Sequence, residues 1–102
     1  MGTNVYVKSG RVIDILAVSA GTPTGSWMYK DAPNSTIQVT STAAATVVIE
    51  VSNDGVNAIA TALGTITLGA AGSDGFTTAA PWKYIRARVT VNSGNVNIIM
   101  CN

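Results

Sequence analysis

The large aliphatic residues of this chain are nearly all branched at Cβ: 12 Val and 9 Ile stand against 3 Leu, with 13 Thr beside them. Such side chains lose rotamer freedom in a helix and fit the pleated surface of a sheet, so the mixture predicts strand almost everywhere and makes helix a poor expectation. At 102 residues the chain holds enough material for one core and too little for two.

Branched runs alternate with turn residues at the short spacing of a sandwich or barrel. Strands are expected over 4–8 and 11–20, joined by Ser9-Gly10. Another is expected over 26–30, after the loop Gly21-Thr22-Pro23-Thr24-Gly25, and one over 35–42, after the break Asp31-Ala32-Pro33-Asn34. From 45 to 52, Val47, Ile49 and Val51 alternate with Val48 and Glu50, the period of two that marks a half-buried strand. Asn53-Asp54-Gly55 then turns the chain. Val56 to Leu63 reads as a strand or a single helical turn, Thr65 to Leu68 as a short strand, and Gly69 to Pro81 as a long surface connection. The last hairpin is the clearest. Tyr84 to Asn92 sets Ile85, Ala87, Val89 and Val91 on one face and Tyr84, Arg86, Arg88 and Thr90 on the other. Ser93-Gly94 turns, and Asn95 to Cys101 returns with Val96, Ile98 and Met100 toward the core. The expected fold is all-β: a compact antiparallel β-sandwich, jelly-roll-like, of about eight strands. It forms a single domain over residues 1–102, with residues 1–10 as an N-terminal arm or edge strand.

Charge is scarce: 11% of residues carry it, under half of the roughly 25% usual in soluble domains. Six Lys/Arg against five Asp/Glu leave a net charge of +1, too weak a field to gather nucleic acid or an anionic membrane, so neither is expected as a partner. No apolar run reaches the roughly 18 residues of a membrane-crossing helix. Lys8 and Arg11 precede only a short branched segment without a cleavage region, so no secretory signal is expected.

Chemistry is scarcer still. There is no His, and the acids Asp14, Asp31, Glu50, Asp54 and Asp74 form no pair on one element for acid–base work. Cys101 is the single cysteine, without a His or cation beside it to activate the thiol. Gly69, Gly72 and Gly75 lead into no helical Lys-Ser/Thr pattern, so there is no phosphate loop. A Ca²⁺ site between the loops of Asn53-Asp54 and Ser73-Asp74 is weaker than the ordinary turn preference of those residues. The chain is not read as an enzyme, and no catalytic residue, cofactor or metal is assigned to it.

The aromatic residues carry more information. Trp27 and Tyr29 alternate around Met28, and Trp82 and Tyr84 flank Lys83, giving two pairs each on a single face. They either close the ends of the core or anchor a protein interface, where Trp, Tyr and Arg are enriched. Arg86 and Arg88 share the face of Tyr84, so an Arg–Tyr stripe suits a carboxylate-bearing partner. Strand edges with few guarding charges invite pairing, which predicts a homo-oligomer, a dimer or trimer. In it Met1 to Lys8, with Val5, Tyr6 and Val7, would add a strand or arm to a neighbour.

Four phrases carry a resemblance: Val47-Val48-Ile49-Glu50-Val51-Ser52-Asn53-Asp54-Gly55, Leu63-Gly64-Thr65-Ile66-Thr67-Leu68, Asp74-Gly75-Phe76-Thr77, and Ala80-Pro81-Trp82-Lys83-Tyr84-Ile85-Arg86-Ala87-Arg88-Val89. Together they resemble small virion proteins of tailed bacteriophages and prophages, in particular capsid decoration, or cement, proteins built on a β-sandwich. The resemblance spans the second half of the chain, Val47 to Met100, and includes no catalytic signature. It implies a structural protein on the exterior of a phage capsid, made in the bacterial host cytoplasm, with the major capsid protein as its partner. A tail, baseplate or fibre-associated module and a receptor- or glycan-binding sandwich are the alternatives it leaves open.

Overall fold

Eight strands pair in a nested order. A computed structural model describes residues 12–30 and 32–102. It contains β1 (Val12–Val18), β2 (Met28–Tyr29), β3 (Ser35–Ser41), β4 (Ala45–Ser52), β5 (Gly64–Leu68), β6 (Gly72–Thr78), β7 (Tyr84–Asn92) and β8 (Val96–Cys101). β4 pairs with β5, β3 with β6, β2 with β7 and β1 with β8, all antiparallel, as in one long hairpin with its tip between β4 and β5. Wound across two layers, that hairpin also lays β3 beside β8 and β4 beside β7. The sheet orders are therefore β1-β8-β3-β6 and β2-β7-β4-β5. This winding is the eight-stranded jelly roll, so the expected antiparallel sandwich is the fold of the chain.

The core follows from the alternation. Ile37 and Val39 of β3, Val47, Ile49 and Val51 of β4, Ile85, Ala87 and Val89 of β7, and Val96, Ile98 and Met100 of β8 all point between the sheets and are buried. Each buried Val or Ile contributes about 1.5–3 kcal/mol relative to an exposed one, and the central strands of both sheets supply most of them.

Four differences from the sequence reading have physical causes. First, the stretch from Gly69 to Pro81 is not all connection: residues 72–78 form β6, in register with β3 from Ser35↔Thr78 to Ser41↔Gly72. As an edge strand it is held by backbone pairing, with Phe76 as its one large side chain packed toward the core. The ring of Phe76 lies over Gly64 of β5, where an added Cβ would sit 2.7 Å from it, and closes the corner between the sheets. Second, Val91 is 47% exposed rather than in the core. Val91 pairs with Thr46 and Val89 with Val47, so Thr90 is an extra residue whose bulge reverses the alternation.

Third, residues 56–63 are neither strand nor helical turn. Ile59 N–H donates to Val51 O (3.2 Å) and Leu63 N–H to Ile49 O (2.8 Å), carrying the segment along β4 until β5 begins. Fourth, the strand expected over 26–30 shrinks to β2, while neighbouring residues cover the same edge of β7. Gly25 N–H donates to Ala87 O (2.8 Å), Val89 N–H to Pro23 O (3.0 Å) and Lys30 N–H to Lys83 O (2.8 Å). The strand expected over 4–8, with Val5, Tyr6 and Val7, lies outside the described residues.

Candidate functional site: an aromatic and arginine face

The side chains that β7 and β4 turn away from the core share the outer face of the sheet β2-β7-β4-β5. With Ile85, Ala87 and Val89 inward, Tyr84, Arg86 and Arg88 point outward; with Val47, Ile49 and Val51 inward, Val48 and Glu50 do the same. The register sets Glu50 opposite Arg86 and Val48 opposite Arg88. β2 pairs Met28 with Ile85 and Tyr29 with Tyr84, which packs Met28 against the core and puts Tyr29 and Trp27 on the outside.

Contacts then lock the face. Arg86 Nε donates to Glu50 Oε1 at 2.8 Å, and its guanidinium carbon lies 4.3 Å from the centroid of the Trp27 ring. Arg88 Nε reaches Glu50 Oε2 at 3.4 Å. Stacking of a guanidinium on Trp contributes about 0.5–2 kcal/mol, and a partly exposed ion pair about 0–1, so the cluster sets geometry more than stability. Tyr29 and Tyr84 stack with centroids 5.0 Å apart. Gly55, at φ +69°, brings the turn after β4 against the Tyr84 ring, where an added Cβ would meet ring carbons at 3.2 Å. Of the sequence candidates, Trp27, Tyr29, Tyr84, Arg86 and Arg88 therefore converge on one face. Trp82 precedes β7 and packs half-buried against the core. With Pro81 it walls two shallow concavities of about 330 and 250 Å³.

The turn beside Tyr84 is built by Asp54. Its Oδ1 accepts from Ser52 Oγ (2.7 Å) and from the N–H groups of Val56 and Asn57 (both 2.8 Å), and its Oδ2 from Asn57 Nδ2 (2.9 Å). The Ser52 hydroxyl first, then the backbone and side-chain donors of residues 56 and 57, hold the Asp54 carboxyl well below the usual carboxylate range. Asp54 therefore stabilises the fold in full above the ordinary carboxyl pKa of 3.8. That contribution drains away as pH falls below it, because the unfolded chain then takes up a proton that the folded turn excludes. Asp54→Asn is expected to melt lower at neutral pH and to converge with the wild type in acid. Melting curves from about pH 7 to pH 2 check this, and parallel pH profiles would remove the assignment.

Both Asp54 oxygens thus serve the turn, and Asp74 Oδ1 accepts from Gly75 N–H at 2.8 Å. Among the described residues no three His, Cys, Asp or Glu side chains gather in one place. A groove of about 420 Å³ between β1, β3 and β8 has no ionisable side chain in its lining among the described residues. One functional group escaped the sequence reading: Lys30, 6% exposed, buries its ammonium among backbone carbonyls. No residue pattern around it signals that burial.

Compared with known protein families, curated proteins and solved structures, the chain matches none of them. Three of the four sequence phrases singled out above fall on this sheet: Val47–Gly55 is most of β4 and its turn, Leu63–Leu68 covers β5, and Ala80–Val89 leads into β7.

Proposed function

We propose that the protein is a structural virion protein, a capsid decoration or cement protein that lies on the outside of a phage head and stabilises its lattice without catalysis. The observation that supports this reading is the outer face just described. In a chain with so few charges, both β7 arginines and three aromatic rings converge on one sheet surface, the composition of an interface hot spot. Fold alone does not choose, since jelly rolls serve viral capsids and lectins alike.

The mechanism is distributed contact. Each copy, bound as a dimer or trimer against the major capsid protein, adds modest energy across a capsomer boundary, and preferential binding to the intact shell raises its resistance to disruption. The test is to mix the purified protein with expanded phage capsids, sediment them, count bound copies and follow the disruption temperature. Saturable binding of copies in the hundreds with a raised disruption temperature is the expected result. Bare capsids would overturn it and turn attention to the tail.

A further inference from the structure

We propose that Arg88 is the point at which this face receives a partner's carboxylate, an Asp or Glu side chain of a protein surface laid against the sheet. The inference deepens the docking reading above and rests on it for the choice of face. Among the described residues two guanidinium groups here share one carboxylate, which leaves one positive charge of the cluster uncompensated. Arg86 is already engaged, with Glu50 at 2.8 Å on one side and the Trp27 ring at 4.3 Å on another. Arg88 differs. Its single contact with Glu50 is long, 3.4 Å through Nε, and its side chain is 42% exposed.

Among the described residues the two terminal nitrogens of Arg88 donate to nothing. A guanidinium tethered at Nε and open at both ends of its fork matches the two oxygens of a carboxylate. Val48, directly across the ladder, gives it an apolar and half-buried neighbour. Glu50, the positioning residue, decides which anion fits. Its carboxylate between the two arginines repels a doubly charged phosphate, and a nucleic-acid backbone asks for a run of cations that the described residues of this face do not supply. One negative charge brings the cluster to neutrality.

The test titrates the full chain with acetyl-Gly-Glu-Gly-amide and, separately, with its Gln counterpart, following the Arg88 Nε–H signal and residues 86–90 by NMR. Saturable shifts centred on Arg88 with the Glu peptide alone are expected, with Kd on the order of 10 mM for a single charge-assisted contact. Arg88→Gln is expected to weaken this about tenfold or more while keeping a folded spectrum, because the Arg86–Glu50 pair remains. Arg88→Lys keeps the charge and loses the fork, and restores only part of the response. No shift at Arg88, equal shifts with the Gln peptide, or an unchanged response in Arg88→Gln overturns the proposal. Capsid sedimentation separates the two readings. Arg88→Glu binding capsids as the wild type does removes Arg88 from the interface and leaves the docking reading standing. A wild type that leaves capsids bare yet answers the Glu peptide at Arg88 does the reverse.

Discussion

Replacing Lys30 by Met is expected to lower the thermal unfolding midpoint by about 15 °C, the equivalent of about 3 kcal/mol in a domain of this size. Lys30 Nζ donates to the carbonyls of Ala32 (2.8 Å), Pro33 (2.6 Å) and Ala80 (2.7 Å). One side chain thus ties the connection between β2 and β3 to the connection between β6 and β7. Burial pulls the pKa of this amine below its ordinary 10.5. Three carbonyls pull the other way, because only the ammonium has three N–H bonds, whereas a neutral amine turns a lone pair toward one of its acceptors.

Methionine keeps the apolar stem packed but takes the ammonium away from three carbonyls; Ala32 O keeps the Ser35 hydroxyl at 3.3 Å, while those of Pro33 and Ala80 lose the side-chain donor they have among the described residues, which is why the loss is larger than that of an ordinary surface lysine. Gln, with two N–H groups, is expected to fall between the two. Melting curves of the three proteins check the order. An unchanged midpoint in Lys30→Met would mean that water already serves those carbonyls. Because Pro33, Pro81 and Trp82 line the concavity beside Lys30, the Trp82 environment is expected to loosen with the same substitution.

Where a strand buries one face in the middle of a sheet, the sequence states it plainly. β4 and β7 occupy Ala45–Ser52 and Tyr84–Asn92, the spans their alternation marks, because each inward Val, Ile or Ala alternates with a residue that can face water. The same alternation makes the shared face of Tyr84, Arg86 and Arg88 legible. What alternation cannot carry is which strand lies alongside. Trp27 and Tyr29 reach that face only because β2 pairs with β7, and Glu50 bridges both arginines only because β4 pairs with β7 in one particular register. Lys30 is illegible for a related reason, since its acceptors come from two loops that are distant in the chain. β6 is hidden by its own composition: Gly72-Ser73-Asp74-Gly75 has turn preferences, and backbone pairing to β3 overrides them.

Gly75 puts that last point to a test in which the sign decides. A Cβ built on Gly75 would run into the carbonyl oxygen of Ile37 in β3 and lie 3.3 Å from the Cα of Gln38. Those are backbone atoms, and β3 cannot retreat without breaking its pairs with β8, Ile37 with Met100 among them. Gly75→Ala is therefore expected to destabilise the fold by about 3 kcal/mol, with a fall in midpoint of about 15 °C. Were residues 69–81 the surface connection that composition suggests, the same change would be neutral or would stabilise by about 0.4–1 kcal/mol through the unfolded chain. Gly72→Ala is the control. It sits at the start of the same strand with nothing within 4 Å of an added Cβ, and is expected to be neutral or slightly stabilising. Amide exchange locates the damage: in Gly75→Ala the amides of β3 that bond to β6 are expected to lose protection before those facing β8. With β6 released, the backbone edge of β3 becomes a free template for another chain, so concentration-dependent association is expected to accompany the loss of stability.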